Sequence, residues 1–300
     1  MMIENKILIT GATGLPGGFF MQHLASTKPE IEIHCLIRPS SDRSMLDSLG
    51  LNLTYDFGDS SISETWEGIF RENSFETIIH LVQLRQVPTI LNSLKKFQQT
   101  PRLIIIGTTG VYSKYNEYSA EYKQAENYLQ EYPASYCLLR PTMIYGTPKD
   151  KNLHKLIKFC HRYGFFPIFG SGDNLLQPVH ADDIAQMLLK VWECPDIKGA
   201  YDLSGGSIVS FRQLILLIEQ LLGQSVRPLS FPLNFGIWSA TLLEQTLGKK
   251  SPVRREQILR LQEDKAYAHE EAKRDLGFTP RTLEAGLQQE IELMRSQGII

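Results

Sequence analysis

Short runs of aliphatic and β-branched residues recur along the N-terminal half of the chain, at 6–10, 31–37, 77–81, 103–106 and 136–139, and each gives way to glycine or polar residues. Between several of them the apolar positions change to helical spacing, as over 19–24. Apolar runs alternating with helices predict an α/β fold, a doubly wound parallel sheet covered by helices on both faces. Ligands of such sheets lie beyond the carboxyl ends of the strands, so function is sought in the loops after these runs. Past residue 146 the pattern changes: helical periodicity over 152–163, 181–192 and 211–222, with looser segments between, predicts a smaller C-terminal α/β lobe. We expect one domain over 1–145, with segments of about 175–200 returning to it, and a second lobe formed mainly by 146–300. The stretch 231–242 gathers Phe, Leu, Ile and Trp around Pro232 and Gly236. Core packing is expected there, with a lid, an oligomer contact or a membrane-surface patch as alternatives.

Composition narrows the class of partner. Hydrophobic residues make up 42% and charged residues 21%, as in ordinary soluble globular proteins, which excludes disordered and collagen-like chains. The 31 basic and 33 acidic residues leave a net charge of -2, so nothing draws the whole chain to nucleic acid, and a small-molecule partner is expected. Polar residues interrupt every apolar stretch well before the roughly 20 needed to span a bilayer. Glu4 and Lys6 flank the first run where a secretory signal would carry a basic start, so a cytoplasmic location without a transmembrane segment is expected. Cys35, Cys137, Cys160 and Cys194 form no C-x-x-C pair and have no histidines at zinc spacing. They read as buried free thiols, with no metal.

The run 6–10 leads into Gly11-Ala12-Thr13-Gly14-Leu15-Pro16-Gly17-Gly18 and then into the helix read from Phe19. Glycine in a strand–turn–helix unit permits a sharp turn, close approach of a pyrophosphate to the main chain, and close packing of helix on sheet. The unpaired N–H groups of the helix start face the phosphate charge. Gly11, Thr13, Gly14, Leu15, Pro16 and Gly17 are therefore candidate cofactor-binding residues of a Rossmann-type domain. In such domains an acidic residue about 20 positions on recognises the ribose, and arginine is the variant that accepts a 2′-phosphate. Here the run 31–37 ends in Arg38, with Ser40, Ser41 and Arg43 behind it. A carboxylate would repel the phosphate whereas a guanidinium pairs with it, so NADP is expected ahead of NAD.

Further segments extend this pattern over nearly the whole chain. They are Gly58-Asp59, Ile79-His80-Leu81, Leu139-Arg140-Pro141-Thr142-Met143-Ile144-Tyr145-Gly146, Pro178-Val179-His180-Ala181-Asp182-Asp183 and, near the C-terminus, Asp275-Leu276-Gly277-Phe278-Thr279-Pro280. With the glycine loop they resemble the extended short-chain dehydrogenase/reductase family, of the NAD-dependent epimerase/dehydratase type. The resemblance implies Asp59 at the adenine, Leu81 and Val82 along the cofactor, and Pro141, Thr142 and Ile144 beside the nicotinamide. It also implies a nucleotide-sugar substrate, and members that often pair through a helical face make a homodimer an expectation. His180, Asp182 and Asp183 also read as a hydrogen-bonded core histidine and helix-capping carboxylates.

Hydride transfer at a sugar carbon needs a group that exchanges the hydroxyl proton, and the family uses a Ser or Thr with a Tyr four residues ahead of a Lys. Thr108 stands at the Ser/Thr position, at the end of the run 103–106. Aligning Ala125-Glu126 with the family's helix puts Tyr118 at the catalytic tyrosine, but Tyr122 then takes the lysine's place and Lys123 falls one residue late. One residue of helix turns a side chain by about 100°. Tyr112, Tyr115 and Tyr122 compete as acids. The expected catalytic set is Thr108, Tyr118 and Lys123. The alternative is a cofactor-binding sensor or scaffold that has lost this chemistry.

Overall fold

The computed structural model describes residues 6–27, 31–150, 152–248 and 255–300. Strands β1 (Lys6–Thr10), β2 (Glu32–Ile37), β3 (Asn52–Phe57), β4 (Thr77–His80), β5 (Arg102–Ile106) and β6 (Tyr136–Pro141) join the strand Gly199–Leu203 in one parallel sheet. Its spatial order is Gly199–Leu203, β6, β5, β4, β1, β2, β3. The order reverses beside β1, between β2 on one flank and β4 on the other. A crevice opens at such a reversal, outside the carboxyl ends of the two strands.

Alternation within the strands decides which helices cover which face. Ile7, Ile9, Ile33, Cys35, Ile104 and Leu139 point into one core and Leu8, Leu36, Ile78, Ile105 and Leu138 into the other. The first is covered by α1 (Leu15–Thr27), beside the short α2 (Ser44–Asp47). The second is covered by α3 (Ser63–Glu72), α4 (Val87–Lys96) and α5 (Ser119–Gln130). β3 is absent from the apolar runs because it is an edge strand: residues 52–57 are all partly or fully exposed, and pairing from Glu32↔Asn52 to Ile37↔Phe57 makes it a strand.

After α6 (Leu153–Tyr163), α7 (Ala181–Glu193) packs on α1 before the chain enters the Gly199–Leu203 strand. Arg102 ties this return together, donating to the carbonyls of Trp192, Cys194 and Ile197. α8 (Phe211–Leu222) starts where periodicity put it, because Ser210 and Gln213 form a reciprocal capping box. Then follow α9 (Leu233–Leu247), α10 (Arg255–Leu259), α11 (Glu270–Leu276) and α12 (Leu283–Ser296). A third core, including Ile157, Ile215, Ile218, Leu287 and Ile291, joins α6, α8 and α12. Cys35, Cys137 and Cys160 are buried free thiols, and Cys194 is half-buried. No described helix is long and apolar enough to cross a membrane.

The stretch 231–242 departs from the expected core packing. Within it only Gly236 and Ala240 are buried, while Phe235 is 50% and Trp238 63% exposed. A Cβ on Gly236 would lie 2.7 Å from the Phe169 ring, so α9 closes on the strand Phe165–Phe169 at a glycine.

One buried carboxyl has a measurable consequence. Glu290 of α12 is fully buried facing the nearly buried Asp150, which already accepts the N–H groups of Asn152 and His154. Neither Glu290 oxygen meets a donor at hydrogen-bond geometry among the described residues. Burial first, then the neighbouring Asp150, pushes Glu290 from 4.5 up to about 9. The folded chain thus keeps a proton that the unfolded chain sheds, and stability falls as pH rises from about 4.5 towards 9. Glu290→Gln puts an amide donor there instead. Melting curves should show a higher Tm for the variant near pH 8, by about 2–4 °C per kcal/mol regained, with the gain shrinking as pH falls.

Candidate functional site

At the reversal the chain turns on Gly11, whose φ of +77° a side chain would disfavour. The Gly14 N–H closes the turn on the Gly11 carbonyl at 2.9 Å. α1 then begins at Leu15, four residues before the helix read from the sequence, so Pro16 and Gly17 lie in its first turn. Proline suits that turn because the first N–H groups of a helix have no intrahelical acceptor. A Cβ on Gly17 would sit 2.1 Å from the Gly11 carbonyl oxygen, so only glycine brings the helix this close. Leu81 and Val82 form the opposite wall, 3.0–3.1 Å from where a Gly11 Cβ would stand. Beneath the turn Thr10 bonds to His80 Nδ1 at 2.9 Å, and burial holds that imidazole neutral, down to about 4. The turn is thus a bare concave stretch of main chain at a helix N-terminus, able to receive a phosphate. Thr13, half-buried, stands in this turn.

Arg38 and Asp59 mark one side of the crevice. Asp59 accepts the Ser61 hydroxyl and N–H, and these bonds, with the Arg38 charge nearby, hold its carboxyl below the usual range. Arg43 is engaged, stacked 5.0 Å from the Tyr55 ring and 3.4 Å from Asp47. Arg38 is exposed; its carbonyl accepts the Ser41 N–H at 2.9 Å, and among the described residues its guanidinium makes no hydrogen bond or ion pair, with only the Asp59 charge nearby.

On the other side lies the loop after β5. Thr108 Oγ1 accepts the Gly110 N–H at 3.0 Å, which leaves the hydroxyl proton to donate elsewhere, while Thr109 turns inward and donates to the Pro141 carbonyl. Tyr118 immediately precedes α5, and the Arg85 guanidinium lies 4.4 Å from its ring centroid and 3.7 Å from Glu121. Tyr122 is half-buried against the second core, 6.4 Å from Tyr118, and burial raises its hydroxyl. Lys123 is exposed, because α5 turns it away from the side that Tyr122 buries. Lys123 was expected in the catalytic set; among the described residues the cation against the Tyr118 ring is Arg85. Tyr112 donates to Asp202 at 3.1 Å and, mainly through burial, is pushed up to about 12, which disfavours it as an acid; Tyr115 is 40% exposed.

The remaining family segments form the frame. Arg140 clamps Glu126 with two bonds of 2.8 and 2.6 Å and lies 3.5 Å from Asp202. Pro141 ends β6, Thr142 is buried and donates to the Gln177 carbonyl, and Ile144 pairs with Val179. Asp182 and Asp183 are both taken up by Arg281, and His23 of α1 bonds Asp182 at 2.7 Å. His180, Asp182 and Asp183 are close enough to hold an ion, but Arg281 already occupies the carboxylates. His180 accepts the Asp182 N–H, and burial with the Arg281 charge takes it down to about 4. The three thus join α1, α7 and Arg281 through hydrogen bonds.

Sequence reading missed the segment 260–267, which closes on the β5 loop from far along the chain. Glu263 accepts the Ser113 hydroxyl and the Lys114 N–H, both at 2.6 Å. Lys265, whose N–H bonds the Leu175 carbonyl at 2.7 Å, is pushed down to about 8 by burial and by Arg260. No spacing motif announces such contacts. A lysine two positions from a glutamate in a polar stretch is the only signal available.

Residues 7–203 match the family described as the NAD dependent epimerase/dehydratase family. Among curated proteins, the short-chain dehydrogenase/reductase family 42E member 1 of Mus musculus is 25% identical over 54% of this chain and 44% of its own. The mitochondrial NADH dehydrogenase [ubiquinone] 1 alpha subcomplex subunit 9 of Dictyostelium discoideum is 24% identical over 70% of this chain and 62% of its own. The matches thus span 44% and 62% of these relatives' lengths. A UDP-glucose 4-epimerase from Thermotoga maritima, solved with UDP-glucose, superposes with a TM-score of 0.72 at 20% identity over 97% of this chain and 99% of that one. A dTDP-glucose 4,6-dehydratase from Bacillus anthracis, solved with NAD, gives 0.73 at 18% identity over 97% and 96%. These structural likenesses establish the shared fold.

Two glycines make a matched test of the close approach. Gly17→Ala should cost about 1–3 kcal/mol through overpacking. Gly68→Ala, in an exposed helical position where a Cβ meets nothing within 4 Å, should add about 0.5–1 kcal/mol. Denaturant unfolding of both variants checks the opposite signs.

Proposed function

Because the chain belongs to the NAD-dependent epimerase/dehydratase family, we propose that it is an oxidoreductase or epimerase using NADP in preference to NAD and acting on a nucleotide sugar. The main support is the division of polar groups around the crevice. Arg140, Asp182, Asp183 and Tyr112 are held by partners, whereas Arg38, Thr108 and Tyr118 keep capacity for a ligand. The residues fit a dinucleotide: the glycine turn offers bare main chain where a Cβ would intrude, and Leu81 and Val82 wall it.

Gly11, Thr13, Gly14, Leu15, Pro16 and Gly17 would hold the pyrophosphate, Asp59 the adenine, and Arg38 a 2′-phosphate. Pro141, Thr142 and Ile144 would stand beside the nicotinamide, which when bound supplies or accepts the hydride. Thr108 donates its free hydroxyl proton to the reacting sugar oxygen and so holds it in place. Tyr118 exchanges the proton of that oxygen. Arg85, against the Tyr118 ring, fixes the ring and brings a positive charge where the family pattern has a lysine. A sensor or scaffold that binds cofactor without turnover is the second reading, favoured by Tyr122 at that lysine position.

Tyr118→Phe and Thr108→Val should each lower turnover at least about 10²-fold while dinucleotide affinity survives. Arg85→Gln should lower it too, and Lys123→Gln should leave it unchanged. Hydride exchange from labelled NADPH to a panel of nucleotide sugars, with calorimetry for binding, reads both quantities. Cofactor binding without exchange would select the sensor. Arg38→Ala should weaken NADPH about tenfold or more and leave NADH unchanged, and equal losses for the two would overturn the NADP preference.

A further inference from the structure

The turn that leads from β5 into α5 owes little of its shape to regular structure. Lys114, Tyr115 and Glu117 are exposed, and the N–H groups of Lys114, Tyr115, Asn116 and Tyr118 are each met by a side-chain oxygen. Main-chain donors outside helix and sheet still need partners, so those side chains decide the path of the turn. Tyr118 ends it as the residue before α5, and its own side chain caps nothing.

The bonds join into one relay. Glu263 accepts the Lys114 N–H on Oε1 and the Ser113 hydroxyl on Oε2, both at 2.6 Å. Because the Ser113 proton goes to Glu263, its lone pairs are left to the turn, where Oγ accepts the Asn116 N–H at 3.0 Å and the Tyr115 N–H at 3.3 Å. Asn116 Oδ1 then accepts the Tyr118 N–H at 3.0 Å. Asn116 also stands close to Thr108: a Cβ on Gly110 would lie 2.9 Å from Asn116 Nδ2 and 3.2 Å from Thr108 Oγ1, so the two atoms flank one glycine.

The far end of the relay is anchored. Glu263 lies 150 residues from Ser113, and the residues after it are tied to the strand Leu175–Leu176 and to Gln177. Asp264 accepts the Leu175 N–H at 2.8 Å, Lys265 donates its N–H to the Leu175 carbonyl at 2.7 Å, and the Tyr267 N–H meets Gln177 Oε1 at 3.0 Å. The Tyr267 ring lies 5.3 Å from that of Tyr112. A carboxylate held in this way makes charge-assisted bonds, the stronger kind, to both groups of the turn.

We propose that Glu263 is a positioning residue, which through Ser113 and Asn116 holds Tyr118 where it meets the reacting oxygen. The inference rests on the role given to Tyr118 above.

Hydrogen exchange of the full chain without ligand, read at single amides, tests the hold itself. Glu263→Ala should speed exchange at Asn116 and Tyr118 about tenfold or more while the amides of β5 and β6 keep their rates. Ser113→Ala cuts the relay without touching 260–267; it should do the same, and the double variant should add nothing. Unchanged exchange at Tyr118 in both single variants overturns the proposal. With labelled NADPH and the nucleotide sugars, Glu263→Ala should lower kcat about 10–100-fold at unchanged NADPH affinity, and on a Tyr118→Phe background it should lower kcat no further. Additive losses overturn the proposal, because the effect of Glu263 would then bypass Tyr118. Faster exchange in a chain that transfers no hydride to any of the sugars upholds the hold and rejects only the catalytic reading of Tyr118.

Discussion

The contact on which the molecule depends is that of α1 with the end of β1, where Gly17 stands against the Gly11 carbonyl with no room for a methyl group. It lets the helix start on the turn itself and leaves main chain, in place of side chains, at the reversal of the sheet. It also sets the seat of α7, which packs on α1 and carries His180, Asp182 and Asp183 at its start. Through His23 and Arg281 those carboxylates join the first helix, 159 residues before Asp182, to Arg281, 99 residues after it.

Around the crevice the charged groups divide by whether the fold has already engaged them. Arg140 with Glu126, and Arg281 with two aspartates, are ion pairs enclosed by protein, where breaking one partner leaves an uncompensated charge. Such pairs hold geometry. Arg38 and the Thr108 hydroxyl proton retain capacity, and both lie on loops after strands, where a parallel sheet presents its ligand. Lys265 reaches this neighbourhood from the far end of the sequence, and its burial sets it apart from surface lysines.

α9 shows the same logic turned outward. Within 231–242 Gly236 and Ala240 are buried while Phe235 and Trp238 stand exposed, so this stripe of rings adds little to the packing of the fold. The crevice and the stripe belong to different parts of the molecule.

Strands β1, β2, β4, β5 and β6, helices α6, α7 and α8, the glycine turn and Arg38 just after β2 were legible in the sequence, because they are local: periodicity reports burial, and glycine reports a backbone that cannot carry a Cβ. The edge strand β3 was not, since its residues are strand-forming only through pairing with β2. Nor was the cation over Tyr118. A motif counts along one helix, and there the lysine position holds tyrosine, while Arg85 comes from the loop after β4. The outward rings of 231–242 look like core in sequence because hydrophobicity says a residue prefers burial and never says against what. Thus the amino-acid order by itself determined the layered sheet and the glycine turn at its reversal. Tertiary structure alone decided which tyrosine meets a positive charge, which carboxylates are already paired and which apolar face is left open, because each joins segments whose separation along the chain carries no record of their contact.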